Sequence, residues 1–298
     1  MTSPGCRFRW LLTNADKNSG MGLSTTEIMD LSLELVDWDT IPGDSTIYVP
    51  GEDIETALVG IDLESPEIQL AAQEGYDLAL AHHPTGDRAR LEFTAVLEKQ
   101  ISFMTAHGVP EDVASAAAKG LIDRMDHAAH SMNFRHDPSI AELLGQPYMN
   151  IHLAPDEIGR RMMDEVADSL ADDASVGDLV DAFYAEFDEF QDAQTEIKTR
   201  LGDAENELGT VAVHHAAGTN GGADVARAYF EHGVDTVVYI HIGPGDTQTL
   251  REEFQDSGKN LVITGHIASD AIGLNVLIDA LEAHGVECTP ISGCTIGR

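Results

Sequence analysis

The chain has 298 residues, 52 acidic and 17 basic, for a formal net charge of −35 at pH 7, a field that repels phosphate backbones and excludes nucleic acid as a partner. Three cysteines, Cys6, Cys288 and Cys294, form no CxxC pair, which excludes a disulfide framework and a thiolate zinc ribbon. No apolar run approaches the ~20 residues that span a bilayer, and a 43% hydrophobic content supplies an ample core.

Residues 1–20 lack a clear period and carry basic residues unlike the rest of the chain. They are read as a disordered or wrongly assigned extension, with Met21 as the genuine start and "FRWLL" too brief for a signal-peptide core. Next, Ser24, Thr25 or Thr26 caps a helix with apolar residues at helical spacing. Strand-like and helix-like segments then alternate: "ALVGIDL" before "SPEIQLAAQEG", and "YDLALAH" before "RLEFTAVLEKQISFMTAHG". Short apolar runs separated by helices indicate βαβ units and a largely parallel sheet. "ASAAAKGLIDRMDHAAHSMN" and "SIAELLG" read as helices and "QPYMNIHL" as a strand, closing an N-terminal α/β lobe over 21–154.

The stretch 155–209 is strongly acidic and helical in pattern, a connecting segment whose Phe183, Tyr184, Phe187 and Phe190 form one face suited to core packing. From Thr210 the rhythm resumes through "TVAVHHA", "NGGADVARAYFEHG", "VDTVVYIHI", "DTQTLREEFQDSG", "NLVITGH" and "SDAIGLNVLIDALEAHG". With "VECTPIS" as an edge strand, 210–298 is a C-terminal α/β lobe. The fold class expected is α/β, two pseudo-repeated lobes with mostly parallel sheets, 21–298 forming one unit.

Ligands of open parallel sheets bind outside the carboxyl ends of the strands, and here histidines mark those ends: His82, His83, His152, His214, His215, His241 and His266. A single histidine at a strand tip more often caps or hydrogen-bonds than ligates, which is the plain reading of His152 and His241. Adjacent pairs differ: at a tip followed by Pro84, His82 and His83 can both turn into one crevice. In "GHIASD", Asp270 follows His266 by four residues in the first turn of a helix, near enough to share an ion. Imidazole with carboxylate and no thiolate suits Zn, Mn, Fe, Co or Ni. Tyr239, His241, His214 and His215 are candidates for proton transfer. The Gly-rich "AAGTNGGAD" reads equally as an anion-binding turn and as a plain strand-to-helix turn. "GPGDTQ" lacks the third glycine of a dinucleotide fingerprint, and neither GxxxxGK[ST] nor GxSxG occurs.

"GYDLALAHHP" together with "GHIASDAIGLNVLIDALEAHGVE" resembles the Nif-three-like dinuclear metal-centre family, also called type-two GTP cyclohydrolase I. That family shows a D-[apolar]-HHP strand tip and a late GH-x-x-[ST]-[ED] turn, and the similarity runs from about Gly22 to Ile291. It implies a three-layer α/β fold, two divalent metal ions in a cleft between the lobes, and a homo-oligomer, often a ring-like hexamer. Carried over, the metal ligands are His82, His83, His266 and Asp270, the last standing where the family usually has Glu. The family's middle-motif aspartate falls without gaps on Ser139 in "NFRHDPSIAELLG", which leaves Asp137 as the replacement or one ligand lost.

The function expected is a metal-dependent hydrolase that activates a bridging water against a small molecule, a nucleotide or a cyclic amide. The alternative is a metal-binding regulatory or interaction module without turnover, and the bland reading is an α/β protein whose histidines only satisfy strand ends. A reducing cytoplasm fits the cysteines, no membrane is engaged, and the acidic surface suits molar salt.

Overall fold

The computed structural model describes residues 22–298. The expectations for residues 1–20 and for a start at Met21 lie outside the described residues, as does Cys6. Helix α1 (Thr25–Glu34) begins with the expected cap, which is Ser24: its Oγ accepts from Glu27 N, and Glu27 Oε2 accepts from Ser24 N at 2.7 Å. Then follow β1 (Thr46–Val49), β2 (Thr56–Gly60), α2 (Ser65–Glu74), β3 (Leu78–Ala81), α3 (Asp87–Leu91), α4 (Phe93–Ala106), α5 (Glu111–Ser131), α6 (His136–Leu144) and β4 (Tyr148–Asn150). The middle of the chain forms α7 (Leu153–Asp168), α8 (Val176–Glu186), α9 (Asp188–Asp192) and β5 (Lys198–Leu201). The rest forms β6 (Val211–Val213), α10 (Gly222–Glu231), β7 (Thr236–Tyr239), α11 (Pro244–Phe254), β8 (Asn260–Ile263), α12 (His266–Ala283) and β9 (Glu287–Ile291).

Two sheets result, in the orders β1-β4-β3-β2-β9 and β5-β8-β7-β6. Each has one antiparallel edge, β1 on β4 and β5 on β8, and parallel pairing elsewhere. The order is the same in both lobes, and both antiparallel edges carry a register shift, between Ile47 and Val49 and between Thr199 and Leu201. The fold is therefore an α/β duplication, with β9 crossing back from the end of the chain to pair with β2.

Period two places the strand residues on alternate faces. Ala57, Val59, Leu78, Leu80 and Met149 face α12 and α1, whereas Leu58, Ala79 and Tyr148 face α2 and α6. In the second sheet Val213, Val238 and Val262 face α7, α8 and α12, and Ala212, Val237 and Leu261 face α10. Helices α7 and α12 thus lie between the two sheets, so each lobe has three layers and shares the central one. This explains the sequence of α12: apolar on nearly every side, it is the buried kind of helix and has no polar face to mark it.

Three elements differ from expectation. Strand β5 lies inside the stretch expected to be helical; exposed Lys198 and Arg200 alternate with Ile197, Thr199 and Leu201, a pattern of five residues too short to stand out beside the acidic helices. Strand β1 is likewise an edge. The helix expected after Arg90 breaks at Glu92 into α3 and α4. Phe183, Phe187 and Phe190 pack on one another with ring centroids 5.5–6.1 Å apart, as core.

Candidate metal centre

The strand tips of both lobes turn toward the crossing of α7 and α12. Beyond Ala81 the chain leaves β3 into His82, which is wholly buried. Its Nδ1–H donates to the carbonyl of Ile151 at 3.0 Å. Because a carbonyl only accepts, Nε2 is left as a bare lone pair. That nitrogen lies 3.2 Å from Asp156 Oδ1 and 3.9 Å from Asp270 Oδ2. His83 follows the same plan, with Nδ1 on Asp62 Oδ1 at 2.7 Å and Nε2 3.4 Å from Asp270 Oδ2. So does His152, with Nδ1 on the buried Asp44 Oδ2 at 2.7 Å and Nε2 3.8 Å from Asp156 Oδ2. His266 Nε2 stands 3.2 Å from Asp270 Oδ2, and His215 Nε2 3.6 Å from Asp156 Oδ1. Two buried carboxylates, one from each central helix, are each ringed by imidazoles. An imidazole held through Nδ1 by a carboxylate or carbonyl, with Nε2 free, is how proteins orient metal-binding histidines.

Electrostatics favour a cation here. Burial raises Asp156 and Asp270, but the surrounding histidines outweigh it and hold both below the usual carboxylate range. Burial lowers His82. It also pulls on His83, where the Asp270 and Asp62 carboxylates prevail and raise the group to about 10. His214 is pushed down to about 3 by burial and then by the charges of His107, His215 and Arg160. Burial and the neighbouring His266 push His241 down to about 4.

A metal passes the test of fit. His82 Nε2, Asp156 Oδ1, His215 Nε2 and Asp270 Oδ2 are buried and have no hydrogen-bond partner, a costly state for polar atoms unless something else satisfies them. Ligand atoms lie within 4.8 Å of one another in three groups: His82, His83 and His152; His83, His266 and Asp270; and His82, Asp156 and Asp270. These buried His/Asp groups can hold metal ions, and a nitrogen and oxygen donor set without sulfur suits a first-row divalent ion.

Of the residues expected as ligands, the structure brings His82, His83, His266 and Asp270 together. It does not bring Asp137, whose Oδ1 accepts from Ser65 N at 2.9 Å and Ser65 Oγ at 2.6 Å, tying α6 to the start of α2. His215, expected as a proton carrier, stands among the groups around Asp156. His214 points into Tyr229 and Tyr239, its Nδ1 3.0 Å from Tyr229 Oη. Tyr239 donates its hydroxyl to Gly222 O. Sequence reasoning missed Asp156 altogether, along with the supporting Asp44 and Asp62, and passed over His152 as a cap. A signal for the first was present: "HLAPDEIG" over 152–159 matches "HIASDAIG" over 266–273 at five of eight positions. The duplicated fold thus carries a duplicated H-x-A-x-D-x-I-G start to its central helices. Beside the two carboxylates opens a cleft of about 300 Å³, mouth included, lined by the 216–220 loop, His214 and His241.

Among solved structures, the NIF3 superfamily protein of Sphaerobacter thermophilus is similar at 46% identity and a TM-score of 0.88, over 92% of this chain and 100% of that one. The chain belongs to the NIF3 superfamily. The ybgI protein, of unknown function, shares the fold at 16% identity and a TM-score of 0.52, over 91% of this chain and 98% of that one. HcgD of Methanocaldococcus jannaschii, in reduced form, does so at 15% identity and 0.54, over 90% and 98%. No protein-family model matches the chain, and neither does any curated protein. Among the described residues of this NIF3 protein no helix is long and apolar enough to cross a membrane.

Proposed function

We propose that this NIF3 protein is a hydrolase of small molecules that works with two divalent ions. His83, His266 and Asp270 would hold one ion, and His152, His215 and Asp156 the other, with His82 between them. The observation that carries the reading is the convergence of four buried, unpartnered nitrogen and oxygen atoms at the crossing of α7 and α12. When bound, such a pair supplies a water made acidic enough to attack near neutral pH, and a clamp for the charge that develops. The chain's own part is to fix three of the five imidazoles, His152, His83 and His82, in orientation through Asp44, Asp62 and the Ile151 carbonyl. His214 and His241 flank the cleft and are held neutral by burial. The metal is one of Zn, Mn, Fe, Co or Ni.

The substrate favoured is a neutral cyclic amide rather than a nucleotide. No lysine or arginine lines the cleft, and a net charge of −35 repels a polyphosphate. Metal-loaded protein screened against cyclic amides, nucleotides and phosphoesters tests this, with His83→Ala as control. Turnover of a cyclic amide that vanishes in the variant supports the hydrolase.

One observation favours the second reading, a metal-binding regulatory or interaction module. Five imidazoles and two carboxylates nearly saturate two ions, leaving few positions open for substrate. Metal binding without turnover of any of these compounds would select it. A homo-oligomer, up to a hexamer, is supported by the family resemblance and by Leu143, 82% exposed on α6 beside Leu144; sedimentation tests it. A cytoplasmic setting is supported by the sparse cysteines.

A further inference from the structure

The duplication places His241 where the first lobe has His82. With His152 set on His266, Met149 falls on Ile263; these pair with Leu80 and Tyr239, so two residues further on His82 falls on His241. The two imidazoles nevertheless carry opposite hydrogen-bond instructions. His82 Nδ1 faces a carbonyl and must hold the proton. His241 Nδ1 lies 3.0 Å from Asn220 Nδ2. Which end of that amide faces the ring is settled by Gly222, whose N–H donates to Asn220 Oδ1 at 2.9 Å. An N–H can only donate, so Oδ1 is committed to Gly222 and Nδ2 donates to His241 Nδ1. The proton of neutral His241 therefore sits on Nε2.

A ring nitrogen that carries a proton does not ligate a cation; it donates to an oxygen. His241 lies against His266, ring centroids 4.6 Å apart, and lines the same cleft as Asp270. The adjoining loop is oriented to the same end. Gln100, fully buried on α4, donates to the carbonyls of Ala217 and Thr219 at 3.4 and 3.0 Å. In a trans peptide the following N–H points the opposite way, so the amides of Gly218 and Asn220 turn away from Gln100, and no backbone acceptor takes them.

We propose that His241 grips an oxygen of the substrate beside the metal centre, as an Nε2–H donor whose tautomer is set by Asn220, and so selects molecules with a carbonyl or carboxylate oxygen next to the bond that breaks. This rests on the hydrolase reading. His241 touches the substrate, and Asn220 is a positioning residue. The second lobe has thus turned a duplicated metal-ligand histidine into a hydrogen-bond donor by changing what faces its Nδ1.

The test reads the ring directly. Long-range proton–nitrogen NMR of metal-free, nitrogen-labelled protein at pH 7.5 should show His241 protonated at Nε2. In Asn220→Asp, whose carboxylate only accepts, Nδ1 should become protonated. Wild-type His241 protonated at Nδ1, or ring shifts identical in the two proteins, overturns the proposal. Acetate is the binding probe for zinc-loaded protein: a hydrogen bond to a charged oxygen is worth roughly ten- to a hundredfold in affinity, so His241→Phe should weaken acetate about tenfold or more. Unchanged acetate affinity also overturns it. Metal uptake by the zinc-loaded protein used for the acetate titration separates the two readings. Absent ions with the Nε2–H ring sink the hydrolase alone, whereas bound ions with the Nδ1–H ring sink the donor alone.

Discussion

The carbonyl oxygen of Pro155 lies 1.8 Å from where a Cβ on Gly273 would be. Glycine is what lets α7 and α12 cross with backbone against backbone, and the crossing holds Asp156 and Asp270 close enough to share His82. Glycine to alanine inside a helix ordinarily stabilises by about 0.5–1 kcal/mol. Here the sign reverses, because the clash is with main chain that no rotamer can relieve. Gly273→Ala should cost about 3 kcal/mol or more, read as a lower midpoint in denaturant unfolding, and should lower metal content as well. A variant as stable as wild type would mean that the helices do not touch in this way.

The two central carboxylates should be equivalent in metal content. Protein purified without an affinity metal should lose bound ion in Asp156→Asn and in Asp270→Asn alike, since each carboxylate is ringed by three imidazoles, His82 being common to both. Asp137→Ala should keep its metal and lose about 1 kcal/mol, because that side chain holds the first turn of α2 through Ser65. Elemental analysis of the three variants checks this; loss of metal in Asp137→Ala alone would restore the middle-motif aspartate.

The histidine pair His82–His83 was legible because an apolar strand ends in it, and His266 with Asp270 because strand, glycine, histidine and helix follow one another. Asp156 was not. It stands in "HLAPDE" among 52 acidic residues, and in so acidic a chain one carboxylate at a helix start looks like surface. The repeat of "HLAPDEIG" in "HIASDAIG" marks its position, but it takes the crossing of α7 and α12 to bring it to Asp270 across His82. The antiparallel edge strands β1 and β5 escaped because they are short: β5 alternates exposed Lys198 and Arg200 with Thr199 and buried Leu201 over only four residues. What tertiary contact alone determines, here a shared central layer and a tautomer set by Asn220, leaves no local pattern.

Acid should destabilise the metal-free protein partly through His214. Its folded value is about 3 against an ordinary 6.5, lowered first by burial. Between those values the unfolded chain takes up a proton that the folded chain refuses, so stability is full above pH 6.5 and falls as pH falls toward 3. One such proton contributes at most about 1.4 kcal/mol per pH unit. His214→Gln stays neutral and can still reach Tyr229, so its stability should fall less steeply over this window. Equal slopes in chelated wild type and variant would remove His214 from the account.

Salt should act in the opposite sense to its usual effect on surface ion pairs. With 52 acidic and 17 basic residues, most surface charges meet like charges, and repulsion outweighs attraction across the surface. The screening length falls from roughly 10 Å at 0.1 M to roughly 3 Å at 1 M, so repulsion between side chains a few residues apart is relieved before contact pairs such as Arg227–Glu253 at 2.7 Å are lost. The melting temperature should therefore rise through molar potassium chloride, and a rise of the same size in sodium chloride would assign it to screening rather than to one bound cation. A protein most stable in dilute buffer would show that the acidic surface is not an adaptation to salt.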